Sequence, residues 1–239
     1  MSVKAVLFDL DGTLLPMDQE IFARSYVGGL AGAALPHGYE PKSMARAIMA
    51  GTDAMVKNDG VKTNEDCFWE EMAHCLGRDA KADVHIFNAF YATDFQKIQE
   101  VCGYNDRAAE TVKKIKAMGF RVALATNPLF PKVATDSRIR WAGFDPADFE
   151  FYTTYETSRH CKPNPDYYRD VVDAMKLSPE ECLMVGNDAD EDMIAEQIGM
   201  RVFLLTDCLI NKSGRDLGGY PQGDFNALLA YVEKIQTMN

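Results

Sequence analysis

The segment VKAVLFDLDGT, residues 3–13, decides the fold of this chain. Its apolar run from Val3 to Leu10 ends at Asp-Gly, which predicts a buried parallel strand that leads into a loop. Asp9 and Asp11 stand two positions apart, and because side chains alternate along an extended chain, both carboxylates point to the same side. Neighbouring carboxylates repel each other, so the pair predicts either a bound divalent metal or a proton held on one member.

The apolar pattern beyond this strand changes along the chain. From about Asp18 to Phe95 the apolar residues recur at helical spacing, with no convincing strand among them. After Gly103, apolar strands alternate with helices, which predicts an α/β fold with a Rossmann-like, doubly wound parallel sheet. We predict strands at 120–126, 149–153, 182–186 and 201–205, and helices at 132–141, 164–175, 191–198 and around 227–235. We also predict a core made of residues 1–16 and 103–239, with residues 17–102 inserted as a helical cap domain over the strand ends.

The composition excludes several classes of partner. The chain of 239 residues carries 25 basic and 36 acidic side chains, a formal net charge of −11. This charge disfavours binding to nucleic acid or to an anionic membrane and suits a small diffusible substrate. No apolar stretch is long enough to span a membrane, and aspartates interrupt the first apolar run too early for a signal peptide. We expect a cytoplasmic protein; the sequence indicates no oligomeric state.

Polar residues follow two of the later apolar segments. Thr126 and Asn127 can donate hydrogen bonds to phosphate oxygens, although taken alone they are more typical of a turn or a helix cap. Pro163 biases Lys162 towards extended backbone, where its ammonium group can face a phosphoryl group or a carboxylate nucleophile. An isolated lysine usually lies at the surface, so only its neighbours make Lys162 a candidate.

The acidic loop, residues 186–192, follows the predicted strand CLMVG. Such a loop is often solvated, or begins a helix whose dipole favours negative charge. The alternative is oxygen ligation of Mg²⁺, which takes one or two carboxylates and keeps several waters. Asp188 and Asp192 are four positions apart, so one can ligate directly while the other orients a water or the lysine.

These four segments, in this order, resemble the motifs of the haloacid dehalogenase-like (HAD) superfamily of aspartate-nucleophile hydrolases. The segment FDLDGTL, residues 8–14, is similar to the family signature D-x-D-G-T-L. Thr126-Asn127, Lys162-Pro163 and the acidic loop are similar to the second, third and fourth motifs, and the helical insertion resembles a C1-type cap. The chain departs from the family at Gly186-Asn187-Asp188, where many members have Gly-Asp. Two alignments are therefore open, and we favour Asp188 over Asn187 as the metal ligand.

The resemblance implies a phosphatase that hydrolyses a small phosphorylated metabolite with Mg²⁺ as cofactor, through an aspartyl-phosphate intermediate. Asp9 is then the nucleophile, and Asp11 is the general acid and base. The other implied roles are phosphate binding by Thr126, Asn127 and Lys162, Mg²⁺ ligation by Asp9, the backbone carbonyl of Asp11 and Asp188, and indirect support of the metal by Asp192 and Asn187. Specificity would come from cap residues, and the unranked candidates are Arg24, His37, Arg46, Lys57 and Trp69.

Other functions compete with this interpretation. Dehalogenases of the family usually lack the second aspartate, so Asp11 argues against carbon–halogen cleavage. A phosphonate hydrolase needs a cap lysine that forms a Schiff base, for which Lys42, Lys57 and Lys62 are formally open, and a phosphosugar mutase has no motif here. A receiver-like signalling protein is about half this length and carries no helical insertion. A non-catalytic binding protein of the same fold would be expected to lose one of the core residues, and all are present.

Overall fold

A five-stranded parallel sheet forms the centre of the protein. The computed structural model describes residues 2–238, and its strand order is β2-β1-β3-β4-β5, with every neighbouring pair parallel. The strands are β1 (Ala5–Phe8), β2 (Arg121–Leu124), β3 (Cys182–Gly186), β4 (Arg201–Leu205) and β5 (Gln222–Gly223). The predicted doubly wound α/β fold is therefore confirmed.

Helices cover both faces of this sheet. From residue 106 onward, the α-helices are α6 (Asp106–Ala117), α7 (Lys132–Trp141), α8 (Pro165–Ala174) and α9 (Phe225–Met238). Alternate residues of β1 contribute to two separate apolar clusters. Val6 and Phe8 pack in the cluster that contains residues of α6 and α9, whereas Ala5 and Leu7 pack in the cluster that contains residues of α8. Burial on both faces explains why the strand has no polar residue in its interior.

The parallel registry brings the ends of three strands to one edge. Phe8 of β1 lies beside Leu124 of β2 and Val185 of β3. The residues that follow these three positions therefore emerge at the same carboxyl edge, which is where ligands bind in open α/β sheets. Asp9 is the first residue beyond β1, and its backbone N–H donates to the carbonyl of Val185 at 2.9 Å.

The chain between β1 and α6 is helical. Its helices are α1 (Gln19–Ala34), α2 (Pro41–Val56), α3 (Asn64–Leu76), α4 (Val84–Ala92) and α5 (Asp94–Lys97), with short 3₁₀ turns between them. The two ends of this helical segment pair with each other, because Met17 and Cys102 form an antiparallel bridge. Phe22 and Tyr26 of α1 meet Phe130 of the core at ring-centroid distances of 5.9 and 5.0 Å, so an aromatic cluster joins the segment to the sheet. The domain limits themselves stay a prediction.

The structure corrects two of the predicted core elements. Residues 149–153 run beside β2 but form only a single bridge, Tyr152 with Leu124, instead of a strand. The predicted helix from 191 is a turn followed by a 3₁₀ helix at Met193–Ile198. Asp188 Oδ1 accepts hydrogen bonds from the backbone N–H groups of Asp190 and Glu191. Such side-chain bonds compete with a regular first helical turn. Among residues 2–238, no helix is both long and apolar enough to cross a membrane.

Candidate active site

A tight turn after β1 carries the first two acids. Gly12 has a φ of +88°, a left-handed conformation that glycine adopts without strain, and its N–H donates to the carbonyl of Leu15 at 2.8 Å. A Cβ at this glycine would lie 2.5 Å from the amide nitrogen of Asn187. The turn therefore needs glycine for conformation and for space. It directs the Asp9 and Asp11 side chains into one cavity, as the spacing predicted.

Lys162 bridges two of the carboxylates. Its Nζ lies 2.8 Å from Asp9 Oδ1 and 2.6 Å from Asp192 Oδ1, and the lysine is only 1% exposed. Burial alone would lower the pKa of Lys162, but the two carboxylates hold that pKa well above its usual value. Burial raises the pKa of Asp192 to about 6, against the opposing effect of Lys162. Lys162 follows a loop and not a strand end, which corrects the sequence prediction of its position.

Asp11 has its own cation, which the sequence analysis missed. The guanidinium of Arg138 forms an ion pair with Asp11 Oδ2, stacks 4.3 Å above the ring of Phe130, and is completely buried. Burial raises the pKa of the Asp11 carboxyl, and the neighbouring Arg138 charge opposes that shift. Asp11 Oδ1 is buried without a hydrogen-bond partner in the described chain. Arg138 shares a helix face with the buried residues Ala134 and Trp141, a spacing that was visible in the sequence.

The acidic loop is held by its own side chains. Asp192 Oδ2 accepts from the Asp188 N–H at 3.0 Å, and a Cβ on Gly186 would lie 2.0 Å from that same oxygen. Asp188 Oδ1 accepts from two backbone N–H groups at 2.8 and 3.0 Å, and its Oδ2 has no hydrogen-bond partner within residues 2–238. Asn187 is held at both ends of its amide, since its Oδ1 accepts from Thr13 at 2.9 Å and its Nδ2 donates to the carbonyl of Cys208 at 2.7 Å.

Thr126 and Asn127 lie directly beyond β2. The Thr126 carbonyl accepts from the hydroxyls of Thr153 and Tyr167, which fixes the turn at the edge of the sheet. Asn127 Nδ2 donates to Glu191 Oε2 at 3.0 Å, and its buried Oδ1 has no partner in the part of the chain that the structure describes. Burial raises the pKa of Glu191 to about 7. Sequence reasoning did not single out Glu191, although it lies within the acidic loop.

One cavity of about 220 Å³ brings these residues together. Of the predicted site residues, Lys162 is the exception, because it lies behind Asp9 and Asp192 and not on the cavity wall. The predicted residues that line the cavity are Asp9, Asp11, Thr126, Asn127, Asn187, Asp188 and Asp192. The cap contributes residues of α1 and α2 to the wall, but none of the five specificity candidates, Arg24, His37, Arg46, Lys57 and Trp69. Lys42, Lys57 and Lys62, the formal candidates for a Schiff base, do not line it either.

The residues at this edge fit a divalent cation. Five carboxyl groups line the cavity, and among residues 2–238 only two cations, Lys162 and Arg138, form ion pairs with them. No cluster of three or more ligating side chains surrounds a common point among residues 2–238. Mg²⁺ does not require such a cluster, since it takes one or two carboxylates and fills its other positions with water and substrate oxygens. The excess of negative charge is the feature that favours it.

Comparisons with known proteins place the chain among hydrolases. Residues 3–197 match the family model of haloacid dehalogenase-like hydrolases. Pyrophosphatase PpaX of Bacillus velezensis is 25% identical over 199 residues, which cover 83% of this chain and 81% of that protein.

Two solved structures share the fold. A predicted phosphoglycolate phosphatase from Haemophilus somnus has a TM-score of 0.57 at 18% identity and covers 97% of this chain and 98% of its own. L-2-haloacid dehalogenase from Xanthobacter autotrophicus has a TM-score of 0.52 at 15% identity, with 88% and 80% covered. At these identities the structural likeness shows the fold alone, because one fold hosts many reactions.

Proposed function

Because the chain belongs to the haloacid dehalogenase-like hydrolase family, we propose that it is a Mg²⁺-dependent phosphatase that hydrolyses small phosphate monoesters. The observation that carries this proposal is the pair Asp9 and Asp11 in one cavity, each with its own buried cation. A single carboxylate suffices for nucleophilic attack. A second carboxyl group beside it is useful when a leaving oxygen needs a proton, as in ester hydrolysis and not in the release of a halide.

In the first half of the reaction, Asp9 attacks phosphorus and the alcohol leaves. Lys162 holds Asp9 Oδ1, which fixes the orientation of the nucleophile before attack. Asp11 donates a proton to the leaving oxygen as the bond to phosphorus breaks, and its pKa, raised by burial, favours the protonated form that this step needs. The product is the free alcohol and a phosphoryl group on the Asp9 carboxylate.

In the second half, Asp11 takes a proton from a water molecule, which attacks the aspartyl phosphate and releases phosphate. Arg138 keeps the Asp11 carboxyl directed at the cavity through both steps. Thr126 and Asn127, at the end of β2, are the proposed donors to the phosphoryl oxygens, together with the charge of Lys162 behind Asp9.

The proposed metal ligands are the Asp9 and Asp188 carboxylates and the backbone carbonyl of Asp11. When bound, Mg²⁺ supplies positive charge that reduces repulsion between the anionic nucleophile and the phosphate. Asp192 supports this arrangement indirectly, because it anchors both Lys162 and the Asp188 backbone. Asn187 has the same indirect role through Thr13, whose hydroxyl lies 3.1 Å from Asp9 Oδ2.

The test is phosphate release from a panel of phosphate monoesters in the presence and absence of Mg²⁺. We expect Mg²⁺-dependent turnover that Asp9→Asn abolishes, because an amide is neither an anionic nucleophile nor a charged ligand. Asp11→Asn should lower kcat severely while Mg²⁺ binding is retained. The control is Asp190→Asn, which removes an acid of the same loop that bonds to Ser213 outside the cavity. A folded Asp9→Asn variant with unchanged turnover would remove Asp9 from its role and overturn the proposal.

A further inference from the structure

The cavity has two chemically different ends. The sheet edge supplies the carboxylates described above. The opposite wall is apolar and aromatic, and it comes from both the cap helices and the loop after β2. The apolar residues of this wall are Met17, Phe22, Ala23, Tyr26, Val27, Met49, Leu129 and Phe130. If phosphate binds at the sheet edge, as proposed above, this wall contacts the leaving group of the ester.

No positive charge faces the leaving group. Every charged side chain that lines the cavity is an acid, and no lysine, arginine or histidine of the described chain is among the lining residues. The two nearby cations are already committed, Lys162 to Asp9 and Asp192, and Arg138 to Asp11. A second anionic group on the substrate would therefore be desolvated against apolar side chains without a counter-charge, which is strongly unfavourable.

The two hydroxyl groups on the cap side of the cavity are already paired within the protein. The Thr52 hydroxyl donates to the carbonyl of Ile48 at 2.9 Å, and the Tyr26 hydroxyl is paired with that of Tyr91 at 2.9 Å. Gln19 Nε2 donates to the Asp11 carbonyl at 3.3 Å. A leaving group rich in hydroxyls, such as a sugar, would lose hydrogen bonds to water and find few replacements here.

We infer that the substrate is the phosphate ester of an uncharged and largely apolar alcohol. This inference rests on the proposed phosphatase function and names its substrate class. The cavity of about 220 Å³ holds the phosphoryl group and the leaving group together. Substrates with a second charge at the leaving end, such as pyrophosphate or phosphoglycolate, are disfavoured by the same wall.

A matched pair of substrates tests the charge requirement directly. Isobutyl phosphate and 2-phosphoglycolate have leaving groups with the same number and branching of non-hydrogen atoms, and they differ in the carboxylate. We expect kcat/KM with Mg²⁺ to be at least tenfold higher for isobutyl phosphate, and pyrophosphate to be hydrolysed more slowly still. Glycolate is intrinsically the better leaving group, so a preference for isobutyl phosphate would reflect binding and not leaving-group reactivity.

A variant at the mouth of the cavity provides the second arm. Met49 lines the wall and is 54% exposed, so substitution there leaves the core packed. Met49→Lys should raise kcat/KM for 2-phosphoglycolate relative to isobutyl phosphate by about tenfold, whereas the uncharged control Met49→Gln should leave the ratio unchanged. Arg46 lies one helical turn before Met49 on α2. The same ratio is measured in Arg46→Ala.

The outcomes separate the two hypotheses. Equal or faster hydrolysis of 2-phosphoglycolate or pyrophosphate by the wild-type protein overturns the substrate inference and leaves the phosphatase function standing. A loss of that charged-substrate activity in Arg46→Ala would identify the cation that the inference says is absent. If the folded protein with Mg²⁺ releases phosphate from no ester in the panel, the proposed function itself fails, and the substrate inference fails with it.

Discussion

Replacement of Lys162 by methionine is the sharpest probe of the charge arrangement at the site. Lys162→Met keeps the apolar stem and removes the ammonium group that lies 2.8 Å from Asp9 and 2.6 Å from Asp192. Both carboxylates are buried, so each loses its partner in an environment where an unpaired charge is costly. Breaking a buried ion pair by removing one partner typically costs about 3–5 kcal/mol of the free energy of unfolding. We expect a loss in this range at pH 8, which is a large fraction of the free energy of unfolding of an ordinary domain.

The pH dependence of that loss follows from the same geometry. Burial already raises the pKa of Asp192 to about 6, and Lys162 opposes the shift, so removal of the lysine raises this pKa further. A carboxyl whose pKa is higher in the folded than in the unfolded state binds protons more readily when folded, so stability increases as the pH falls. The difference in unfolding free energy between wild type and Lys162→Met should therefore narrow from pH 8 to pH 5. The double variant Lys162→Met/Asp192→Asn should regain about 1–3 kcal/mol of the unfolding free energy that Lys162→Met loses, because it leaves one unpaired carboxylate and not two.

The assay is urea denaturation followed by circular dichroism, with EDTA present so that bound metal does not contribute. The matched control is Lys62→Met, since Lys62 also contacts a carboxylate, Glu70, at 2.8 and 2.6 Å, but on the exposed surface. Exposed ion pairs contribute little, so this control should leave the denaturation midpoint unchanged. Equal midpoints for the two single variants, or a difference that widens at pH 5, would refute the argument that the buried ammonium stabilises the carboxylates.

Three further predictions concern neighbouring residues. Asp188→Ala should cause the largest increase in the Mg²⁺ concentration for half-maximal activity, Asp192→Ala an intermediate increase and Asn187→Ala the smallest. If Asn187→Ala causes the largest increase, the alignment of Gly186-Asn187-Asp188 with the family motif is off by one residue. Arg138→Met should lower kcat about 100-fold, because the Asp11 carboxyl loses the partner that positions it. The double variant Arg138→Met/Asp11→Asn should have the same kcat as Asp11→Asn alone. Additive losses in steady-state kinetics would show that Arg138 does not act through Asp11. Gly186→Ala should destabilise the protein by about 1–3 kcal/mol in thermal denaturation, because its methyl group meets Asp192; an unchanged Tm would contradict this.

The sequence was informative wherever a residue's position follows from local chain geometry. Asp9 and Asp11 share a cavity, as their two-residue spacing predicted, although a tight turn and not an extended segment places them there. Thr126 and the acidic loop join them because parallel strands end at one edge. The alternation of apolar strands with helices predicted that the strands run parallel, whereas the strand order came from the structure.

The residues that sequence reasoning missed depend on how helices are placed. Arg138 reaches Asp11 across 127 positions of sequence, because the crossover after β2 returns α7 to the edge of the sheet. Its helical spacing indicated a buried position but not a partner. The cap wall was missed for a related reason: Phe22 and Met49 line the cavity because of where α1 and α2 pack in the fold, which no local periodicity encodes. Specificity candidates chosen for their charge, such as Arg24 and His37, do not line the cavity.

The pairing of the acids also supports the proposal that Asp188 is a metal ligand. Asp9 and Asp192 share Lys162, Asp11 is paired with Arg138, and Glu191 accepts from Asn127. Asp188 differs, because backbone N–H groups fix its Oδ1 while its Oδ2 has no partner within residues 2–238. A carboxylate oxygen that is held in place without a partner is available to ligate a cation. Since Mg²⁺ prefers charged oxygen, Asp188 is the acid whose removal should weaken metal binding most, whereas Asn187 already uses both ends of its amide.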